Sequence, residues 1–185
     1  HFSPHRADTP RAQTTTGIIA TTLGQASQSI DLALFVFTDQ GIANTLATNP
    51  NLLLRTLIDR SFIYRSHSEA LDMLGLALPD HRCNYEKDNR PWRTSTATIG
   101  YPVLAEGDKL HHKFALLDDR TVIIGSHNWS KAANHTNDEN LLIIENTTVA
   151  QHFKQEFERL YQQAELGRTD YLLGQMRKRQ KTCSK

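Results

Sequence analysis

The chain has 185 residues, of which 38% are hydrophobic and 22% charged, and its formal net charge is +1. This length accommodates one domain with a substantial core and is short for two. No stretch approaches the roughly 18 consecutive apolar residues of a membrane-spanning helix. The composition therefore predicts a soluble globular protein without stable membrane association, and any basic surface must be local. The chain begins with His1 rather than Met, so we expect a processed form or an excised piece, and the compartment stays open.

The first half of the chain alternates helical and strand patterns. Thr14–Ser29 carries apolar residues at helical spacing, and Ile30–Phe37 has the continuous apolar character of a buried strand. Asp39 is a candidate cap of a short helix that follows. Leu52–Ile58 is a second buried strand, and Phe62–Leu78 is predicted as a helix. This alternation predicts an α/β domain whose sheet is covered by helices on both faces.

The regular pattern is lost between Pro79 and Asp108. This stretch is predicted either as a solvated excursion or small hairpin, or as a loop that grips substrate. Regular structure then returns as three short strands and a closing amphipathic helix, at Lys113–Leu117, Thr121–Ile124, Leu141–Ile144 and Val149–Ala164. Residues 1–166 are therefore predicted to form one domain.

The last segment, residues 167–185, is predicted to be a peripheral basic tail. Its run Arg177–Lys181 is either a solvated chain end or a salt-sensitive arm that binds phosphate groups. Cys183 lies in this tail and Cys83 lies in a polar segment. Two cysteines do not make a disulfide framework, so the redox compartment is not predicted.

Two short polar runs flank the predicted hairpin at residues 113–124. On a strand, residues two apart share a face, so His111 and Lys113 point the same way, while His112 is expected to face the core. The hairpin brings Ser126 and Asn128 near them. One pocket would then hold an imidazole, an ammonium group, a hydroxyl, an amide and backbone N–H groups, which suits the nucleophilic chemistry of a phosphate.

These residues resemble the H-x-K-x4-D and G-S-x-N motif of the phospholipase D superfamily. The matched positions are His111, Lys113, Asp118, Gly125, Ser126 and Asn128. Six such matches arise by chance in a chain of this length on the order of once in a million. The resemblance covers roughly Phe2 to Ala164. It implies a mixed central β-sheet flanked by helices on both faces.

Only one copy of the motif is present. Single-copy members of the superfamily include small bacterial endonucleases and a mitochondrial-surface homologue, and they resemble this chain in size. They complete the active site by dimerising, so the resemblance implies a homodimer with the site at its two-fold interface. The chemistry explains why two histidines are needed, because one must attack phosphorus while the other donates a proton to the leaving oxygen.

The resemblance also implies a role for each motif residue. His111 is the nucleophile in one subunit and the general acid in the other. Lys113 and Asn128 bind the non-bridging phosphate oxygens, and Ser126 supports them. Glu139 is similar to the family's acidic residue that accepts a hydrogen bond from the catalytic histidine.

Asp118 completes the set of predicted catalytic residues, although we expect it to order the motif loop rather than to touch substrate. No pair of histidines or cysteines has zinc-site spacing, and no carboxylate cluster for two metals is visible. We therefore expect neither a metal nor another cofactor.

The predicted function is a metal-independent phosphodiesterase, and more specifically a non-specific endonuclease that cleaves DNA or RNA through a phosphohistidine. One alternative is a phospholipase D-type lipid hydrolase or transferase, with cardiolipin among its substrates. Another is a nucleic-acid-binding module that has lost turnover. Outside the motif, Trp129 either stacks on a base or packs in the core. Arg60, Tyr64 and Arg65 either line the cleft or begin a solvated helix.

Overall fold

The computed structural model describes residues 1–184 and contains one eight-stranded sheet between two layers of helices. The strands are β1 (Phe2–Ser3), β2 (Ser29–Leu34), β3 (Leu53–Ile58), β4 (Ile99–Pro102), β5 (Lys113–Leu117), β6 (Thr121–Gly125), β7 (Glu139–Glu145) and β8 (Ala164–Leu166). The helices are α1 (Thr15–Leu23), α2 (Gln40–Leu46), α3 (Glu69–Met73), α4 (Lys131–His135), α5 (Thr147–Tyr161) and α6 (Asp170–Cys183). A 3-10 turn at Arg11–Gln13 precedes α1.

The sheet is mixed, with strand order β1-β7-β6-β5-β2-β3-β4-β8. β2, β3 and β4 run parallel, whereas β5, β6 and β7 pair antiparallel with their neighbours. Leu34, at the end of β2, lies opposite Lys113, at the start of β5. Phe114 pairs with Ile124, which places Gly125 beside Lys113. The ends of β2, β3, β4 and β6 and the starts of β5 and β7 therefore meet at one edge of the sheet, called the motif edge below.

Helices cover both faces of the sheet. On one face α5 packs Ala150, Phe157 and Leu160 onto buried side chains of the central strands. On the other face α1, α2 and α3 form the larger core, to which α6 adds Leu172. The predicted mixed α/β sandwich is confirmed. Among residues 1–184, no helix combines the length and the apolar character that crossing a bilayer requires.

The chain between β3 and β4 differs from the prediction. The expected helix over 62–78 is confined to Glu69–Met73, because Asp59 accepts hydrogen bonds that close turns immediately after β3. The stretch expected to be irregular contains β4. Its Gly100 is required there, since a Cβ atom would lie 1.8 Å from the carbonyl oxygen of Glu165 on β8.

The predicted basic tail is largely helical. α6 buries Leu172 in the core, and a disulfide joins Cys183 at its end to Cys83, with the Cα atoms 5.4 Å apart. The sequence analysis did not predict this pair, which is separated by 100 residues. The domain boundary after residue 166 stays a prediction, and the last tail residue, Lys185, lies outside the described residues.

Candidate active site

His111 and Lys113 lie together at the motif edge. The Lys113 Nζ atom is 3.2 Å from Nδ1 and 3.3 Å from Nε2 of the exposed His111 ring, and it donates to the His111 carbonyl at 2.9 Å. Lys113 is only 8% exposed. Burial lowers the pKa of its ammonium group, an effect that the nearby Glu139 carboxylate opposes. The predicted pairing of an imidazole with a cation is therefore present.

The loop after β6 presents hydrogen-bond donors beside this pair. Gly125 is required because a Cβ atom would lie 2.1 Å from the carbonyl oxygen of Asn140. The Ser126 Oγ atom accepts from the Asn140 N–H at 3.0 Å, so its hydroxyl proton remains available to an oxygen of a ligand. The Asn128 Oδ1 atom is buried without a hydrogen-bond partner among residues 1–184. Ser126 and Asn128 are thus held at the same edge as His111.

Glu139 begins β7 at the motif edge. Its carboxylate raises the pKa of both Lys113 and His127, against the larger effect of their burial. It therefore lies near the cluster, but it accepts its hydrogen bond from Asn137 Nδ2 at 3.3 Å. In the described chain the His111 ring nitrogens contact Lys113 instead. The expected hydrogen bond between His111 and Glu139 is not formed in this structure.

Asp118 lies at the opposite end of β5, roughly 16 Å along the strand from Lys113. Its carboxylate accepts from the backbone N–H groups of Ser27, Gln28 and Ser29 at 2.8–2.9 Å and from the Ser27 hydroxyl at 3.0 Å. Burial favours the neutral form, but these bonds outweigh it and lower the pKa of Asp118. Its inclusion among the catalytic residues is therefore not supported by its position, whereas the expected role in ordering the motif loop fits these contacts.

The side chains between the motif positions differ in burial. His127 is fully buried, and burial lowers its pKa to about 4. Trp129 is also fully buried and packs edge-on against Phe37 with ring centroids 5.7 Å apart, so it belongs to the core and does not offer a stacking surface. His112 was expected in the core, but it precedes the strand, is exposed and contacts Glu156 at 2.8 Å.

Two residues that position His111 were not predicted from the sequence. The Phe35 ring lies 4.6 Å from the His111 ring and 5.2 Å from Lys113 Nζ. Buried Asp59 accepts from the Leu110 N–H at 3.0 Å and thereby fixes the residue before His111. An acidic residue directly after a buried strand was the signal available for Asp59. Within residues 1–184, no group of three or more His, Cys, Asp or Glu side chains is placed to hold a metal ion.

Comparison with known proteins identifies the family. A family model described as "Cardiolipin synthase, PLD-like domain" matches residues 19–161. The chain belongs to this phospholipase D-like family. A mitochondrial cardiolipin hydrolase from Xenopus tropicalis is 28% identical over 151 residues, which cover 80% of this chain and 61% of the relative. The human protein of the same name is 46% identical over 54 residues, or 29% of this chain and 21% of that protein. The chain thus spans about three-fifths or less of these relatives.

Solved structures share the fold. Nuc from Salmonella typhimurium, a phospholipase D family member, superposes with a TM-score of 0.62 at 21% identity, covering 83% of this chain and 90% of Nuc. NucT from Helicobacter pylori superposes with a TM-score of 0.59 at 18% identity, covering 90% of this chain and 99% of NucT. The superfamily assignment and the fold are therefore confirmed, and the chain has a phosphodiesterase-type fold.

Proposed function

We propose that this protein is a metal-independent phosphodiesterase that cleaves nucleic acids through a covalent phosphohistidine. The observation that carries the proposal is the exposed His111 ring with the Lys113 ammonium group 3.2 Å away. Ser126 and Asn128 stand at the same edge of the sheet. This arrangement offers a nucleophile and three donors for phosphate oxygens without a metal ion.

In the first step, one ring nitrogen of neutral His111 attacks phosphorus. The bond from phosphorus to the leaving oxygen breaks, and that oxygen takes a proton from a second, protonated imidazole. Lys113 and Asn128 bind the non-bridging oxygens, with Ser126 in support, and their interaction strengthens as charge develops there. The negative charge of the nearby Glu139 carboxylate favours the protonated form of Lys113.

In the second step, water attacks the phosphohistidine. It transfers a proton to the second imidazole, the phosphorus–nitrogen bond breaks, and both rings return to their starting states. Since each chain has one motif histidine, the second imidazole is His111 of the partner subunit in a two-fold homodimer.

The substrate that we propose is DNA or RNA. Its support is the basic run Arg177–Lys181 on α6 together with the single motif copy in this sequence, in which it resembles bacterial endonucleases. A phospholipid such as cardiolipin is the second candidate. It is favoured by the description of the matching family and by the relatives named cardiolipin hydrolases, although the chain covers only part of their length.

One experiment tests activity, substrate and metal independence together. Purified protein is incubated in excess EDTA with bis-p-nitrophenyl phosphate, plasmid, single-stranded DNA, RNA and cardiolipin vesicles. We expect cleavage of bis-p-nitrophenyl phosphate and of nucleic acid. His111→Asn should reduce kcat by a factor on the order of 1,000 or more, because the nucleophile is lost.

The matched control is His112→Asn, which alters the exposed neighbouring imidazole and should retain activity. Loss of activity in EDTA with recovery in magnesium or zinc would contradict the metal-independent mechanism. Cleavage of cardiolipin without any cleavage of nucleic acid would establish the second candidate instead. Binding of nucleic acid without turnover of any substrate would point to the silent binding module.

A further inference from the structure

The segment that follows β3, residues 60–65, carries two unpaired guanidinium groups at the motif edge and is called the arginine loop here. The Arg60 guanidinium lies 5.5 Å from the ring centroid of Tyr101 and 5.2 Å from that of Tyr171. The Arg65 guanidinium lies 4.6 Å from the Phe62 ring, and its Nε donates to the Ser61 carbonyl at 2.9 Å. Both groups are exposed but held in place by stacking.

Neither guanidinium of the arginine loop forms an ion pair with a carboxylate within residues 1–184, whereas Arg11, Arg55 and Arg159 do. A stacked guanidinium keeps its donor edges for a planar anionic partner, because the aromatic ring occupies only its face. A pair of such groups without carboxylate partners is therefore suited to bind phosphates.

The arginine loop is joined to the active site by two sets of contacts. The Asp59 carboxylate accepts hydrogen bonds from the Ser61 N–H at 2.9 Å, the Ser61 hydroxyl at 2.5 Å and the Leu110 N–H at 3.0 Å, so the loop and the residue before His111 share one anchor. The Phe62 ring packs against Phe35 at 4.7 Å, and Phe35 packs against His111 at 4.6 Å. Arg65 thus lies two aromatic rings away from the nucleophile.

The arginine loop also extends the site along the motif edge. Tyr101 is on β4, three strands from β5, which corresponds to roughly 14 Å. A few nucleotides of a polynucleotide strand span such a distance. Tyr171 beside Arg60 is 41% exposed, so it offers a face on which a base can stack.

The C-terminal helix α6 contributes a further cation, Arg179, near Arg65. Arg65 and Arg179 line one cavity of about 510 Å³, which also contains Asp80 and Glu86. The Asp80 Oδ1 atom accepts from the N–H groups of Arg82 and Asn84. The disulfide between Cys83 and Cys183 holds α6 against this cavity.

We propose that Arg60 and Arg65 form a second phosphate-binding subsite, which binds the phosphates that flank the scissile one on the same strand. This inference rests on the proposed function and names the part of the substrate that the catalytic cluster does not reach. A strand of nucleotides supplies phosphates at regular intervals along the edge, and Tyr171 stacks on a base between them.

The test separates binding from chemistry. Binding of a fluorescein-labelled oligothymidylate 12-mer is measured by anisotropy in the His111→Asn background at several salt concentrations. Arg60→Gln combined with Arg65→Gln should weaken binding at least tenfold at low salt. The slope of log K against log salt should become shallower by about 1.4, which corresponds to two phosphate contacts on a single strand.

The matched control is Arg120→Gln, because Arg120 is an exposed arginine at the Asp118 end of the sheet and pairs with Glu145 at 3.6 Å. It should change neither quantity. Arg65→Gln alone, on an exposed side chain outside the tyrosine cluster, should give about half of the slope change, and thermal melts confirm that each variant is folded.

In the His111-intact protein, the loss in kcat/KM should grow with substrate length from a dinucleotide to the 12-mer. Unchanged 12-mer binding in the double variant would overturn the inference, and so would an equal loss on bis-p-nitrophenyl phosphate. Weakened binding to cardiolipin vesicles with unchanged oligonucleotide binding would assign the arginine loop to lipid and also overturn it. Inactivity of the wild-type protein on every phosphodiester would contradict the proposed function alone, since the binding measurement does not need turnover.

Discussion

The buried His127 side chain should make folding stability depend on pH. His127 is fully buried, and neither ring nitrogen has a hydrogen-bond partner among residues 1–184. Burial lowers its pKa from 6.5 to about 4, with partial opposition from Glu139 and Asp39. The unfolded chain therefore binds a proton on His127 at a pH where the folded chain does not, and stability falls as the pH falls below 6.5 and levels off below 4.

The size of this effect follows from the two pKa values. The fall of the His127 pKa from 6.5 to about 4 corresponds to roughly 3 kcal/mol when the titration is complete, and about 2 kcal/mol of it is lost by pH 5. His127→Leu removes the titrating group. At pH 7.5 the variant should be at least as stable as the wild type, because a leucine leaves no buried nitrogen without a partner.

The measurement is urea unfolding at pH 7.5 and pH 5.0 at one fixed protein concentration, which matters for a protein proposed to be a dimer. Between these pH values the wild type should lose about 2 kcal/mol more than His127→Leu. His152→Asn, at an exposed histidine that forms no ion pair among residues 1–184, should keep the wild-type pH dependence. Equal pH dependence of wild type and His127→Leu would show that His127 is not held neutral by burial, and the reasoning would fail.

Two further predictions concern assembly and the disulfide. Wild-type and His111→Ala subunits are refolded together in equal amounts. The mixture should retain about one quarter of the wild-type activity, because each composite site of a heterodimer lacks one imidazole. Retention of one half would mean that each subunit acts alone. The disulfide closes a loop of 100 residues, so its reduction should lower the free energy of unfolding by about 2–4 kcal/mol and Tm by roughly 5–15 °C. Cys83→Ser combined with Cys183→Ser should melt at one temperature with or without reductant, and an effect of reductant on this variant would exclude the disulfide as the cause.

The central strands could be predicted from the sequence because their burial leaves a local signal. β2, β3, β5 and β6 are short apolar runs, and α5 shows its buried face every three or four residues. β4 and β8 lack such a signal, since Gly100 and Pro102 break the pattern. β4 pairs with both β3 and β8, and Tyr101 lies opposite Glu165, 64 residues away. Contacts at long sequence separation, including the disulfide, leave no periodicity that a single sequence displays.

The contacts of the active site also differ in how well the sequence predicts them. Strand parity predicted that His111 and Lys113 point the same way. Their side chains do meet, although β5 begins only at Lys113 and His111 lies in the segment just before it. The contacts of Asp59 with Leu110 and of Phe62 with Phe35 depend on which strands are adjacent. From the sequence, the arginine loop could either line the cleft or begin a solvated helix. Its packing against aromatic rings favours the first interpretation.

The position of Asp118 explains why a motif that includes it has a fixed spacing. β5 runs from Lys113 to Leu117, so the four residues between Lys113 and Asp118 correspond to the length of the strand. The Asp118 carboxylate binds the backbone just before β2 and aligns Ile30 with Leu117. A slip of one residue in this pairing would turn every side chain of β5 to the other face, and Lys113 would leave the cluster. Asp118 thus supports the proposed phosphate chemistry from the far end of the strand, through the register that places His111 and Lys113 together.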